Sequence, residues 1–429
     1  MTKDSVNTDL LSFLRDATTP FHAVGGMAER LLVAGFVPWS DATREPVVAG
    51  GRYFTVRNDS SLIAFTAGTD LSHGLRLVGA HTDSPNLSVR PNPSVNRFGC
   101  NLLAIDVYGG ALLNPWFDRD LSMAGKVSFE TEAGDLVSRL IDFKAPIAVI
   151  PSLAIHLDRD ANKGRTVNPQ TDMLPLVSLS SGDGDFDIHA MLTAQIAVEY
   201  PDLNIKKILD WELSLYDTQA PGFVGLNNDF IASARLDNLL SCFGGLQAII
   251  NSADSGEWNL FVANDHEEVG SASAVGAQGP MLNDVLRAIA PDPVDDRALR
   301  QASWMLSVDN AHAIHPNYPT KHDELHAPLL GSGPVIKINR NQRYATSGEG
   351  AARVRLLAER AGVSVQSFVV RADMGCGSTI GPITATETGI PTTDIGVPTL
   401  GMPSIRELAA ADDPAKLVDL LSAFYNRVA

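Results

Sequence analysis

Cysteine is scarce in this chain. Only three of its 429 residues are cysteine, at positions 100, 242 and 376, and no two of them form a C-x-x-C pair. Neither a disulfide framework nor a cysteine-based zinc site is therefore expected. Few and widely spaced cysteines are typical of a reducing compartment, so we expect a cytoplasmic protein.

Long apolar runs are also missing. Charged residues interrupt the first 16 positions, which leaves no apolar core for a signal peptide. The longest apolar run, at 146–157, contains Pro151 and is too short to span a bilayer. The sequence thus predicts neither a secretory leader nor a membrane span.

Positive charge is in deficit. The chain has 33 Lys and Arg against 50 Asp and Glu, a net charge of −17, which argues against a nucleic-acid or anionic-membrane partner. Hydrophobic residues make up 45%, which is ordinary for a globular protein and excludes a largely disordered chain. The length indicates two or more structural units, or one large unit with an insertion.

Hydrophobic periodicity predicts an α/β catalytic domain formed by residues 1–90 and 230–429. Apolar spacing indicates a helix before Pro20, a second at 23–34, a third from Leu236 to Ile250, and a C-terminal helix from Leu417. Strands are predicted at 61–67, 75–79, 259–263, 304–308, 334–338 and 363–370. This alternation favours a central mixed, mainly parallel sheet sandwiched by helices.

The middle of the chain has a different composition. Residues 91–229 are rich in Pro, Gly and Asn, with short β-like runs at 145–150 and 210–215 and one predicted helix at 187–198. A polar stretch at 162–172 predicts a long loop. We expect an inserted, mostly β domain.

Acidic and imidazole side chains follow the predicted strands. His81 and Asp83 come after the strand at 75–79, Glu267 and Glu268 after the strand at 259–263, and Asp309 after the strand at 304–308. Asp237 lies near the start of the long helix. Because the carboxyl ends of parallel strands share one edge of a sheet, we expect these side chains to converge.

Converging carboxylates repel one another unless a cation neutralises them, and zinc accepts a mixed set of nitrogen and oxygen ligands. A pair of divalent metals can polarise a carbonyl and activate water. The adjacent pair Glu267–Glu268 allows one side chain to bind metal while the other moves protons. Asp83, two residues after His81, can fix the imidazole tautomer.

Each of these residues alone also has an ordinary structural explanation: His81 as a packed or solvated histidine, the Glu pair as a solvated loop, and Asp309 as a helix N-cap. Other enzyme motifs are absent from the sequence. The segment 266–270 is not H-E-x-x-H, and neither a G-x-S-x-G elbow nor a G-x-x-x-x-G-K-[ST] loop occurs. The segment 375–378 indicates a tight turn rather than a nucleotide site.

Several longer motifs carry a family resemblance across nearly the whole chain. They are VGAHTDSP (78–85), RLDN (235–238), DHEEVGS (265–271), SVDNAHAIHPNY (307–318) and GPVIK (333–337), framed by TPFHAV (19–24) and SIRE (404–407). With them the sequence resembles the aspartyl aminopeptidases, a family of dizinc exopeptidases, and most closely their bacterial members.

The resemblance implies an active site with two zinc ions. Asp237 would bridge the two ions, His81 and Asp309 would complete one site, and Glu268 would serve the other. Glu267 would be the general base. The resemblance also implies that residues 91–229 form a dimerisation domain and that the subunits assemble into tetrahedral dodecamers.

Substrate recognition is implied as well. The family removes N-terminal Asp or Glu from peptides, so Lys337 would pair with the substrate carboxylate, and His156 would reach a neighbouring subunit's active site. Tyr344 and His312 lie in similar segments and are assigned to substrate binding. As alternatives, Lys337 is an exposed lysine at a strand end, His156 a turn residue and His312 a structural residue.

One position departs from the family. The second zinc is also held by histidine in a Met-His-Ser-Ile-Arg-Glu motif, whereas this chain has Pro403 in that place, and proline offers no side-chain ligand. Three explanations stay open: a recent or artefactual change, a weak enzyme with one tight metal, or a catalytically impaired homologue that acts as a self-assembling scaffold. A deacylase or carboxypeptidase on the same dizinc fold is a further alternative.

Overall fold

A computed structural model describes residues 2–40, 42, 46–180 and 186–427. The helices lie at Lys3–Asp16 (α1), Pro20–Val33 (α2), Ala161–Gly164 (α3), Pro169–Asp172 (α4), Ile188–Glu199 (α5), Leu236–Asn251 (α6), Met281–Ile289 (α7), Pro293–Ala302 (α8), Gly348–Ala361 (α9), Ile380–Thr388 (α10) and Asp413–Tyr425 (α11).

The strands lie at Val37–Pro38 (β1), Arg52–Arg57 (β2), Ser61–Thr66 (β3), Arg76–His81 (β4), Asn86–Arg97 (β5), Cys100–Tyr108 (β6), Leu121–Thr131 (β7), Leu136–Asp142 (β8), Leu176–Leu179 (β9), Ile205–Asp217 (β10), Gly222–Val224 (β11), Phe230–Ser233 (β12), Asn259–Asn264 (β13), Trp304–Val308 (β14), Ala311–His312 (β15), Val335–Lys337 (β16), Gln366–Phe368 (β17), Thr392–Gly396 (β18), Pro398–Leu400 (β19) and Glu407–Ala410 (β20).

The chain divides into two compact units. The first comprises Met1–Ser84, Pro221–Met402 and Glu407–Ala429, and the second comprises Pro85–Ala220 and Pro403–Arg406. The main chain therefore passes twice from the first unit into the second and back.

The first unit contains a nine-stranded sheet with the order β1-β2-β3-β13-β4-β14-β18-β16-β17. Its central strands β13, β4, β14 and β18 run parallel to one another, whereas β3 and β16 are antiparallel to their inner neighbours. This mixed, mainly parallel sheet confirms the predicted α/β class. A five-stranded sheet of order β11-β12-β20-β19-β15, which the sequence did not predict, completes the unit.

Helices cover both faces of the large sheet. Side chains alternate along a strand, and β13 accordingly sends Phe261 and Ala263 into one core and Leu260 and Val262 into another. The first core is shared with α1, α2, α6, α9 and α11, and the second with α7 and α8. Burial on both faces explains why β13 carries apolar side chains at the successive positions 260–263.

The second unit is built on a six-stranded antiparallel sheet of order β8-β7-β10-β5-β6-β9. Its core includes Phe129, Leu213 and Leu215 from the strands. Helix α5 contributes Leu192 and Ile196 to the same core. The predicted helix at 187–198 and the predicted strand at 210–215 therefore both fall on regular elements.

Other predicted elements were wrong or misplaced. The run 145–150 forms only isolated bridges, because prolines 146 and 151 remove main-chain donors. The stretch 162–172 includes the one-turn helices α3 and α4 rather than only loop. Helix α2 begins at Pro20, not at 23, since Thr19 caps it and proline favours the first helical position. The strands predicted at 334–338 and 363–370 shorten to three residues each.

Among the described residues, no helix combines the length and apolar character that crossing a membrane requires.

We expect Gly→Ala substitution at two helical glycines of the first unit to have opposite effects on the free energy of unfolding. A Cβ at Gly245 in α6 would lie 2.4 Å from Cε2 of Phe261, whereas a Cβ at Gly25 in α2 would meet nothing within 4 Å. We expect Gly245→Ala to lower the free energy of unfolding by about 1–3 kcal/mol through overpacking. Gly25→Ala should raise it by about 0.5–1 kcal/mol because alanine favours helix. Thermal and denaturant unfolding of both variants measures this, and equal shifts would contradict the packing argument.

Candidate metal centre

Strand order brings the candidate residues to one edge of the nine-stranded sheet. Strand β4 lies between β13 and β14 and runs parallel to both, with His81 opposite Asn264. His81 ends β4, the Glu267 turn follows β13, and Asp309 follows β14. The expected convergence at the carboxyl ends of the strands is therefore present.

His81 is the centre of the cluster. Its Nδ1 lies 3.0 Å from the main-chain oxygen of Asp83, an arrangement in which Nδ1–H donates and Nε2 is turned towards the rest of the cluster. The Nε2 atom lies 3.5 Å from Asp237 Oδ1, 3.8 Å from Glu267 Oε2 and 3.7 Å from Asp309 Oδ1. The second ring nitrogen of a buried imidazole thus faces three carboxylates.

The ligand atoms form two overlapping groups, one of His81, Glu267 and Asp309 and the other of His81, Asp237 and Glu268. Within each group the atoms lie within 4.8 Å of one another. The Oδ1 atom of Asp237 is buried without a hydrogen-bond partner. A nitrogen and several carboxylate oxygens around an orphaned oxygen are a donor set that fits divalent zinc.

A break in helical geometry presents Asp237. Helix α6 carries non-helical φ and ψ angles at Asp237 and Asn238, so the continuous helix starts only after them. The main-chain N–H of Asp237 donates to Glu407 Oε2 at 2.8 Å, and its carbonyl accepts from Ser84 Oγ at 2.6 Å. These contacts fix the backbone that carries the carboxylate.

Sequence reasoning did not assign a role to Glu407. It is fully buried in β20, where burial and the charge of Asp237 raise its pKa well above the usual value. Its signal in the sequence was weak, since it is a single acidic residue at the end of the SIRE motif. Its position beneath Asp237 depends on the small five-stranded sheet, which was not predicted.

Asp83 organises the turn that carries the two glutamates. Glu267–Val269 is a short 3-10 turn between His266 and Gly270, which both have positive φ. The two carboxylate oxygens of Asp83 accept the main-chain N–H groups of Glu267 at 3.1 Å and Glu268 at 3.0 Å. Asp83 therefore holds the glutamate turn as well as the ring of His81.

Burial and mutual repulsion shift the titration of the cluster. Burial raises the pKa of Glu267 to about 7 and, together with Asp237, the pKa of Glu268 to about 9. Burial alone would lower the pKa of His81, but Glu267 and the neighbouring carboxylates raise it well above its usual value. Without a cation the site therefore retains protons, and a metal ion must displace them.

Asp309 differs from the two glutamates because its pKa is lowered rather than raised, since a lysine compensates its charge. Burial would raise its pKa, but Lys337 and His81 hold it below the usual value. Lys337 Nζ lies 3.1 Å from Asp309 Oδ2, donates to the carbonyl of Asn310 at 3.0 Å, and lies 5.1 Å from the ring centre of Tyr344. With 2% exposure, Lys337 is not the exposed lysine of the alternative interpretation.

The remaining candidates have different surroundings. Tyr344 is buried, and His312 lies edge-on to Phe368 at 5.8 Å. Burial and the charge of Lys337 lower the pKa of His312. His156 occupies an exposed turn of the second unit.

Pro403 and Asp309 were also discussed from the sequence. Pro403 lies in the 403–406 segment of the second unit, where its carbonyl accepts the N–H of Leu112 at 3.3 Å. The N-cap alternative for Asp309 is wrong, because β15 rather than a helix follows it.

The comparisons with known proteins identify the family. The sequence pattern of the aminopeptidase I zinc metalloproteases (M18) matches residues 13–425. The chain is 55% identical over 426 residues to a probable M18 family aminopeptidase 2 from Pseudomonas entomophila, covering 99% of both chains. A relative of the same name from Pseudomonas fluorescens (strain Pf0-1) is 54% identical over 425 residues, covering 99% of this chain and 98% of the relative.

Solved structures show the same fold. The Ape4 and Nbr1 complex contains a chain that superposes with a TM-score of 0.95 at 36% identity, covering 99% of this chain and 86% of that one. The S. cerevisiae mApe1 dodecamer matches with a TM-score of 0.87 at 27% identity, covering 99% and 98%. A fold and cluster of this kind define a zinc-dependent aminopeptidase. The chain belongs to the M18 family of zinc aminopeptidases.

Asp83→Asn should weaken metal binding more than folding. Asparagine offers only one acceptor oxygen, so one glutamate N–H loses its partner and the turn loosens. Losing a group that orients metal ligands typically costs about 10–100-fold in metal affinity. Calorimetric zinc titration measures this, with Asp70→Asn on the surface as the matched control. An unchanged zinc affinity together with a lower melting temperature would show that Asp83 acts only in folding.

Proposed function

We propose that the protein removes N-terminal Asp or Glu residues from peptides. The observation that carries the proposal is the ring of carboxylates around Nε2 of the buried His81. Asp237 would be shared between two zinc sites, with His81 and Asp309 completing one and Glu268 serving the other. Membership of a zinc aminopeptidase family supports this assignment.

Bound zinc supplies Lewis-acid polarisation of the scissile carbonyl and lowers the pKa of water. Glu267 acts as the general base: its carboxylate removes the proton of the attacking water and then delivers it to the departing amine. The turn held by Asp83 keeps the Glu267 carboxylate at the edge of the cluster. His81 is fixed in one tautomer by its Nδ1 contact.

A local cation favours an acidic substrate in this acidic protein. Lys337 directs two of its three N–H groups to Asp309 and Asn310, which leaves one donor for a substrate carboxylate. His312 and Tyr344 would line the same substrate site, and His156 would enter it from a second copy of the chain. The net charge of −17 repels acidic peptides, so binding one requires a local positive charge such as that of Lys337.

We also propose a homo-oligomer, a tetrahedral dodecamer built from dimers through the β-rich residues 91–229. The dodecameric mApe1 relative supports this arrangement. A cytoplasmic location is supported by three free thiols, at Cys100, Cys242 and Cys376.

A second candidate is a self-assembling scaffold that has lost strong activity, and Pro403 favours it. If histidine is the usual ligand at this position, the second site keeps only Asp237 and Glu268 from the chain. Missing one ligand should cost at least the 10–100-fold typical of groups that merely orient ligands. The peptidase and scaffold proposals thus differ in turnover and in metal stoichiometry.

Glu267→Gln should abolish turnover while leaving zinc binding and assembly intact. Glutamine keeps the size of the side chain but cannot take up the water proton, and general-base catalysis typically contributes about 10²–10⁴-fold. Hydrolysis of an Asp amide, zinc content and oligomer mass are measured together. Glu324→Gln, an exposed residue, is the control. Retained activity would remove Glu267 from the role of base.

Pro403→His should raise activity and bring the zinc content towards two per chain. Histidine would supply the ligand that proline cannot, so the expected gain is at least about tenfold. The assay compares both proteins on N-terminal Asp, Glu and Leu peptide amides in added zinc. If both are inert yet correctly assembled, the peptidase proposal fails and the scaffold proposal is preferred.

A further inference from the structure

Arg235 joins the end of helix α1 to the segment that carries Asp237. Its Nε donates to the carbonyl of Ala17 at 3.0 Å, and its Nη2 donates to the carbonyl of Leu14 at 3.2 Å. The last carbonyls of a helix lack partners within the helix, and a cation beside them also interacts favourably with the negative end of the helix dipole. The guanidinium of Arg235 therefore stabilises the end of α1.

The main chain of Arg235 begins helix α6. Its carbonyl accepts the N–H of Leu239 at 3.1 Å. Its φ of 60° lies in the left-handed region, which residues other than glycine adopt rarely. Such a conformation persists only where the surrounding structure holds it. One residue thus fixes the end of one helix and the start of another.

Asp237 follows Arg235 by two residues, so the Cα atoms of the two lie no more than about 7 Å apart. Glu407 and Ser84 hold the main chain of Asp237 itself. Arg235 adds a third anchor to the same segment, and this anchor leads to a different helix. A shift of Arg235 would therefore displace the carboxylate of Asp237 relative to His81.

Helix α1 also contacts the strand that supports Asp237. Nδ2 of Asn7, a fully buried residue of α1, donates to the carbonyl of Ala411 at 2.8 Å. Ala411 directly follows β20, the strand that carries Glu407. Helix α1 is thus hydrogen-bonded to two segments that hold Asp237, one through Arg235 and the other through Asn7.

Apolar packing holds α1 in place for these hydrogen bonds. Leu10 and Leu14 are fully buried in the core that α1 shares with α6. The ring of Phe13 lies 6.0 Å from that of Phe243 in α6. Because packed interiors are dense and resist displacement, the carbonyls of Leu14 and Ala17 offer Arg235 a fixed attachment.

We propose that Arg235 is a positioning residue for zinc, because it transmits the docking of α1 to the carboxylate of Asp237. The inference rests on the zinc ligand set of the proposed function. Arg235 acts through the backbone of its own segment and not by contact with metal or substrate. Its loss should lower zinc affinity by about tenfold, the lower end of the range typical of groups that orient metal ligands.

Calorimetric zinc titration of Arg235→Gln tests the inference. Glutamine is shorter and uncharged, whereas lysine keeps the charge and has three donors. Both variants face the same left-handed backbone, so they are compared on equal terms. We expect about tenfold weaker zinc binding in Arg235→Gln and recovery of most of the affinity in Arg235→Lys. The melting temperature of each zinc-free protein is measured in parallel, which shows whether the variant folds.

Asp9→Ala is the matched control. Asp9 also anchors α1 through two hydrogen bonds, from Nη1 of Arg30 at 2.7 Å and from Nε2 of Gln247 at 3.0 Å. Neither contact includes a residue that holds Asp237. We expect Asp9→Ala and Arg235→Gln both to lower the melting temperature of the zinc-free protein, and only Arg235→Gln to weaken zinc binding. Equal zinc affinities in these two variants would overturn the inference.

A double-mutant cycle identifies the route of the effect. If Arg235 acts through the carboxylate of Asp237, the loss of zinc affinity caused by Arg235→Gln should largely disappear when Asp237→Asn is also present. An equal loss with and without Asp237→Asn would also overturn the inference. None of these titrations needs turnover, so a parent protein that binds zinc but hydrolyses no peptide contradicts the proposed function and not the role of Arg235.

Discussion

Repulsion among buried carboxylates around His81 is the constraint on which the rest of the site depends. Two unit charges 4 Å apart interact with about 4 kcal/mol at an effective dielectric constant of 20. Domains are typically stable by only about 5–15 kcal/mol, so several uncompensated pairs would rival the stability of the fold. Two features reduce this repulsion. Glu267 and Glu268 retain protons, and the ammonium of Lys337 lies against Asp309. A metal ion would replace those protons, which couples its binding to pH.

The scaffold meets this constraint by distributing the charges over elements that are anchored independently. Asp309 follows a central strand, Asp237 precedes a buried helix, and Glu267 lies on a turn fixed by Asp83. The N–H of Asp237 is held in turn by Glu407 in a second sheet. No single loop carries these side chains, so thermal motion of one segment leaves most of the cluster in place.

Periodicity and residue chemistry predicted most of the residues that converge at this site. The apolar strand ends predicted that His81, Glu267, Glu268 and Asp309 converge, because sheet edges collect the carboxyl ends of parallel strands. The small five-stranded sheet was missed, since β15 and β19 have only two and three residues and no alternation to detect. For the same reason neither the place of Glu407 nor the cavity that His312 lines was predictable, as both depend on contacts between segments far apart in sequence.

The segment 403–406 shows that a residue near the site can change without changing the contacts that support the site. It belongs to the second unit, yet Met402 before it lines the same cavity as His312 and Glu407 after it holds Asp237, both within the first unit. Proline at 403 restricts its own φ and offers no ligand atom. The contacts at both ends of the segment are made by other residues, so they do not require a histidine at this position. If histidine is the usual ligand at this position, its absence alters what the site can bind without removing the framework that orients it, and activity and assembly become separable quantities.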